Sequence, residues 1–168
     1  MDDVVRVERA APRHEERFLR AALASRRALR PWVAPPLTAK AFHAYLRKGR
    51  SPRNRGYVII DRAEKALVGV VNVSEIVRGS FESAYLGYYV FRPFEGRGLM
   101  SAGLGLVIDE AFCRLGLHRL EANIQPENVR SRSLAARLGF ELEGLSPRYL
   151  RIGGRWRDHE RWALRAEQ

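Results

Sequence analysis

The stretch Tyr88-Tyr89-Val90-Phe91-Arg92-Pro93-Phe94-Glu95-Gly96-Arg97-Gly98-Leu99-Met100-Ser101-Ala102 is the part of this chain best suited to chemistry. It leaves an apolar, strand-like run, turns at Gly96-Arg97-Gly98, and enters a run of helical periodicity. Glycine lets backbone come close to a ligand, and the first amides of a helix face outward at the positive end of its dipole. That combination is a cradle for pyrophosphate. Arg92 and Arg97 add positive charge beside it, and Glu95 to Ser101 supply the backbone. A lone Gly-x-Gly pair also serves merely to turn a chain. A dinucleotide-binding Rossmann unit is disfavoured, because the third glycine and the acid about twenty residues further on are not in their places.

Other reactive side chains are sparse. His14, His43, His118 and His159 form no pair spaced for a metal, so each reads as a surface or packing residue and no metal site is expected. No elbow motif supports nucleophilic catalysis by serine, histidine and an acid. The single Cys113 excludes an intramolecular disulfide and a cysteine-based cluster. It lies on the apolar side of an expected helix and reads as an inert core residue. Asn128 has the type and place of a helix cap, with Ser131 on the first turn behind it.

These groups must be positioned by a chain of 168 residues, 46% hydrophobic and 29% charged, which fits one globular domain spanning 1–168. No apolar run approaches the roughly 20 residues that cross a bilayer, and no membrane association is expected. The opening MDDVVRVERA carries acids where a secretory signal would carry bases, which reads as a cytoplasmic protein. Thirty Lys and Arg against 19 Asp and Glu leave a formal charge of +11. That surplus favours polyanionic partners, CoA phosphates or ribosomal RNA among them, and equally describes an arginine-rich solubilising surface.

Periodicity orders the elements as β-α-α-β-β-β-α-β-α-β-β. Val4 to Glu8 alternates like an edge strand, and His14 to Leu29 repeats at helical spacing until Arg30-Pro31. Thr38 caps a second helix that ends near Gly49. Strands are expected at Tyr57–Ile60, Leu67–Val77 and Ala84–Phe91, then a helix over Met100–Leu115. A strand at Leu120–Ile124, a helix at Val129–Leu138 and strands at Arg148–Ile152 and Trp156–Leu164 complete one mixed α/β domain.

Several runs together resemble a known family. Glu95-Gly96-Arg97-Gly98-Leu99-Met100 is similar to the CoA-binding motif of the GNAT acetyltransferases. Downstream, Leu117-His118-Arg119-Leu120-Glu121-Ala122, Pro126-Glu127-Asn128-Val129-Arg130-Ser131 and Leu138-Gly139-Phe140-Glu141-Leu142-Glu143-Gly144 resemble the ribosomal-protein-alanine N-acetyltransferase branch. Val77-Arg78-Gly79-Ser80-Phe81, Tyr85-Leu86-Gly87-Tyr88 and Trp156-Arg157-Asp158-His159 point the same way, so the likeness runs through nearly the whole chain. Three positions depart from the pattern. Glu95 stands where the motif has Gln or Arg, Met100 where it has Gly or Ala, and Arg148 where relatives carry an acid before Tyr-Leu.

The resemblance implies a central mixed sheet splayed between the strands at 84–91 and 119–124, with acetyl-CoA in the gap. Tyr89 and Val90 would offer backbone to pantetheine, and Asn128 would bind the amide arm. Ser131 would stabilise or protonate the departing thiolate. Glu75, Glu82 and Asp158 are the candidates to hold or deprotonate the amine, and Trp32 could roof the acceptor cleft. The implied reaction is direct attack of a primary amine on the thioester, the acceptor being a ribosomal or other protein N-terminus. Alternatives are a small amine such as an antibiotic, or a catalytically idle domain that binds RNA or protein. A monomer and a homodimer fit the sequence equally.

Overall fold

The computed structural model describes residues 4–166. Seven strands form one sheet in the order β1-β2-β3-β4-β5-β7-β6. They are β1 (Val5–Arg9), β2 (Arg55–Asp61), β3 (Leu67–Val77), β4 (Ser83–Val90), β5 (Arg119–Ile124), β6 (Glu141–Ile152) and β7 (Arg155–Arg165). The helices are α1 (Glu15–Leu29), α2 (Ala39–Gly49), α3 (Leu99–Asp109) and α4 (Val129–Arg137). The element order is the one read from periodicity.

Both faces of the sheet are covered, which explains why β2 from Gly56 onward and the first half of β3 are buried without alternation and read as largely continuous apolar runs. On one face, α1 lays down Phe18, Ala22, Ser25 and Leu29, and α2 adds Phe42 and Leu46. They pack on Val58, Ile60, Val70 and Phe91, with Phe18 and Phe91 edge to face at 5.6 Å. On the other face, Leu104 and Val107 of α3 and Leu134 and Ala135 of α4 pack on Ile59, Val71, Leu120 and Ile124. Gly103 is required there, since a Cβ on it would lie 2.4 Å from Ile59.

Thr38 caps α2 as its sequence implied, its Oγ1 accepting from Ala41 N at 3.2 Å. Three expectations need correction. β6 begins at Glu141, not at Arg148. It is an edge strand with register shifts between Leu142 and Gly144 and between Ser146 and Leu150, and those shifts erase the two-residue alternation. The helix expected to Leu115 gives way after Asp109 to a π-turn over Glu110–Arg114, closed by Leu115 N donating to Glu110 O at 3.0 Å. The extra residue in that turn shifts the helix face, so Cys113 is exposed while Ala111 is buried.

β4 and β5 are parallel neighbours for only three rungs, Ser83 with Arg119, Ala84 with Leu120 and Tyr85 with Glu121. Beyond Tyr85 they part. The sheet therefore opens into a V whose vertex is the Tyr85–Glu121 rung, and the expected splay is present.

Candidate active site

The V puts a gap between two strand edges with α3 at its mouth and α4 on its flank. Phe91 N donates to Val68 O at 2.8 Å on β3. Successive residues of a strand turn their backbone groups to opposite edges, so Tyr88 and Val90 face the gap and Tyr89 faces β3. A polar strand edge without a partner needs one from elsewhere.

At the mouth, Gly96 and Gly98 hold φ of 74° and 76°, and Gly98 caps α3 in the left-handed region without any side-chain bond. A Cβ at either glycine would meet nothing within 4 Å, so both are explained by backbone conformation and by open space in front of it. The first amide to find a backbone acceptor is that of Ala102, which donates to Gly98 O at 3.1 Å. The earlier amides of the turn are free of backbone acceptors, and such a set fits a CoA pyrophosphate.

The side chains around this cradle are committed elsewhere. Glu95 turns to Arg92 at 3.2 Å, which takes its carboxylate off the anion path. Arg97 bonds Glu64 at 2.6 Å, lies 3.6 Å from Asp61, and stacks over Phe94 at 5.2 Å. Its charge is largely offset by the β2–β3 turn. Leu99 and Met100 point into the core, and Ser101 is half-buried on the first turn.

On the flank, Asn128 caps α4, its Oδ1 accepting from Ser131 N at 3.2 Å. Ser131 Oγ donates to the Tyr88 hydroxyl at 3.0 Å, and that hydroxyl in turn donates to Ser131 O at 3.1 Å. Tyr88 thus ties β4 to α4 across the gap. Burial pushes its phenol upward, against an opposing pull from Ser131, so it stays a protonated donor. Sequence reasoning missed Tyr88. The signal was the strand's own period, which places Tyr88 with Val90, rather than Tyr89, on the open edge.

The vertex carries a second group of polar residues on the face away from α3 and α4. Tyr85 is pushed up to about 12, first by its hydrogen bond with Tyr149, then by burial and by the nearby Tyr149, Glu121 and Glu75. Glu121 bonds Arg119 Nε at 2.7 Å. Glu75 sits beside this group at φ 52° and pairs with Arg53 at 2.7 Å. Glu82 bonds Arg78 at 2.9 Å and accepts from Gly79 N at 3.0 Å, which occupies both its oxygens within the β3–β4 connection.

Arg148 is exposed, with φ 48°, and its amide donates to Asp158 Oδ1 at 2.7 Å. Asp158 therefore shapes the β6 bulge. Trp32 is half-buried in a loop tied to the end of β5 by Gln125 Nε2 donating to Pro31 O at 3.0 Å. His14 and His159 are buried, and His43 pairs with Glu15. Among the described residues no cluster of His, Cys, Asp or Glu could hold a metal, and no helix is long and apolar enough to cross a membrane.

Known proteins share this fold. Residues 5–141 match the family described as "Acetyltransferase (GNAT) domain". The chain is 46% identical over 106 residues to the [Ribosomal protein uS5]-alanine N-acetyltransferase of Escherichia coli, covering 63% of this chain and 55% of that protein. It thus spans little more than half the length of that curated relative. Among solved structures, Mycobacterium smegmatis RimJ in complex with CoA-disulfide is 30% identical, with a TM-score of 0.89 over 98% of this chain and 83% of that one. Ribosomal-protein-S5-alanine acetyltransferase from Vibrio fischeri is 26% identical, with a TM-score of 0.87 over 97% of this chain and 93% of that one. With its splayed sheet, glycine cradle and matched residues, the chain belongs to the GNAT acetyltransferase family.

Proposed function

We propose that the protein is an acetyl-CoA-dependent N-acetyltransferase acting on the N-terminal α-amine of a protein, a ribosomal protein in the first instance. The observation that carries this is the path from the amides at 95–101, along the open edge of β4, to the Ser131 hydroxyl bonded to the Tyr88 side chain. The Escherichia coli and Vibrio fischeri relatives, named as ribosomal-protein-alanine acetyltransferases, support the choice of acceptor.

Acetyl-CoA supplies the activated acetyl group and a thiolate leaving group. The chain's residues do the rest. Amides of Gly96 to Ser101 and the Gly98 turn hold the pyrophosphate, and the backbone of Val90 and Tyr88 lines the pantetheine path, with Tyr89 behind it. Asn128 fixes the first turn of α4 and borders the amide arm. Ser131 donates a hydrogen bond to the sulfur as charge develops on it, while Tyr88 keeps hold of the Ser131 carbonyl. Orientation of amine and thioester in one complex supplies much of the acceleration.

The base is the weakest-equipped part of the site. Glu75, near Tyr85 at the vertex, is better placed than Glu82, whose oxygens are both engaged. An α-amine suits a site with a modest base. Its ordinary pKa of about 7.7–8.0 leaves roughly a tenth neutral at pH 7, whereas lysine at about 10.4 is disfavoured by roughly 3.4 kcal/mol. Exposed Arg26, Arg27 and Arg30 fit an approach to phosphate-rich surroundings such as ribosomal RNA, and the reaction belongs in the cytoplasm. The test is acetyl-CoA turnover with a free-N-terminus peptide, a polyamine and an aminoglycoside. Turnover is expected on the peptide, and turnover confined to either small amine would refute the acceptor class.

A further inference from the structure

The geometry points to Gly87 as the port through which the acceptor amine reaches the vertex, with Asn123 as the group that receives it. This rests on the acetyltransferase reading above and specifies its acceptor side. Glycine inside a strand weakens it, and usually marks a strained conformation or a close approach. At Gly87 neither reason holds. Its φ is outside the positive range, and a Cβ there would meet nothing within 4 Å. Gly69 and Gly103 differ: a Cβ would lie 2.5 Å from Tyr89 O at the first and 2.4 Å from Ile59 at the second. The chain therefore leaves an open space at Gly87 that its own packing does not explain.

The position of that space is informative. Leu86 packs in the core on the α3 and α4 face, and Tyr88 reaches α4. By alternation, a side chain at 87 would point to the opposite face, between those of Tyr85 and Tyr89. Gly87 pairs with Asn72 on β3 and lies two residues beyond the Tyr85–Glu121 vertex. The corresponding residue on β5 is Asn123, two beyond Glu121. Leu120, Ala122 and Ile124 fill the other core, so Asn123 faces the same side as Gly87.

Asn123 Oδ1 is enclosed with no hydrogen-bond partner, and so is Nε of Arg161, its register partner on β7. Orphaned buried polar atoms are uncommon, and an unmet acceptor costs its full desolvation. An amine entering over Gly87 supplies the missing donor to Asn123. A peptide carbonyl behind that amine supplies an acceptor for Arg161. Tyr85, held protonated, forms the wall together with Tyr149 and donates rather than accepts a proton.

The experiment compares Gly87→Ala, Gly87→Val and Asn123→Ala with wild type, using a free-N-terminus peptide as acceptor. Gly87→Val is expected to melt at or above the wild-type temperature and to bind acetyl-CoA within twofold of wild type by calorimetry. Its peptide KM should rise at least tenfold, with Gly87→Ala intermediate. Asn123→Ala should raise peptide KM about tenfold with acetyl-CoA affinity unchanged. A Gly87→Val enzyme with unchanged peptide KM would overturn the port, as would one that fails to fold or loses acetyl-CoA. Wild-type turnover of a polyamine but not of the peptide would instead overturn the acceptor class, and the port would then be judged on the polyamine KM. Turnover of neither would end both readings.

Discussion

Removing the Ser131 hydroxyl isolates one interaction at the breaking bond. In the resting structure Ser131 Oγ donates to Tyr88 at 3.0 Å, while the Tyr88 hydroxyl donates to the Ser131 carbonyl at 3.1 Å. Ser131→Ala deletes the first bond and leaves the second, so the tie between β4 and α4 survives. The stability cost is that of one neutral hydrogen bond, about 0.5–1.5 kcal/mol, or a few degrees in Tm for a chain of this size. At the transition state the same hydroxyl meets a forming thiolate, and a bond to a charged group contributes roughly 1.5–3 kcal/mol. That corresponds to a fall in kcat of about 10- to 160-fold. Ground-state binding of acetyl-CoA does not use the charge, so its KM should move little. Tyr88→Phe supplies the complementary case. It removes both bonds and loosens Ser131 without removing its hydroxyl, so it should cost more in Tm and less in kcat. Steady-state kinetics with saturating peptide, alongside thermal melts of both variants, make the comparison. A Ser131→Ala enzyme with full kcat and a raised acetyl-CoA KM would show that Ser131 only positions the donor.

Gly98→Val should weaken acetyl-CoA binding at least tenfold in calorimetry, because a side chain would occupy the space in front of the cradle. Gly79→Val is the control, since Gly79 has φ 74° and equally open surroundings but lies in the β3–β4 connection; its affinity should match wild type. Stability should fall in acid in two stages. His14 Nδ1 accepts from Ala11 N at 3.1 Å, so the ring is neutral and Nε2 donates to Glu8 at 3.0 Å; burial lowers its pKa, and its contribution is lost as pH falls below about 6.5. Glu8 is lowered to about 2, first by Arg13, against a smaller opposing effect of burial and with further help from His14 and Arg6, so its contribution is lost between about pH 4.5 and 2. Glu8→Gln should cost about 1–2 kcal/mol at pH 7 and flatten the lower stage of a Tm–pH curve; an unchanged curve would refute the assignment.

The elements with clean periodicity are legible in the sequence. Val73 and Leu86 alternate in step with their neighbours, and Thr38 and Asn128 cap the helices their types announced. The turn at Gly96 and Gly98 is legible too, because both glycines are dictated by a left-handed backbone conformation, which the residue type reveals directly. What stayed hidden depends on three-dimensional neighbours. The bulges of β6 and the π-turn before Leu115 interrupt periods that the eye extends. The pairing of Arg97 with Asp61 and Glu64 joins residues more than thirty positions apart, and no local pattern announces it. Neither the run that holds Tyr88 nor the strand that holds Asn123 announces a role for these side chains. They matter because one strand edge opens and two chain-distant strands face each other across it.

The most direct test of the chemistry proposed is the place where the acetyl group lands. A peptide carrying both a free α-amine and one internal lysine, incubated with the protein and acetyl-CoA at neutral pH, offers both nucleophiles to one site. Fragment-ion mass spectrometry of the product then locates the modification. Acetyl on the N-terminal residue, with the lysine unmodified over the early time course, is the expected result. Acetyl on the lysine ahead of the N-terminus would contradict α-amine transfer and require a strong base that the vertex of this sheet does not display.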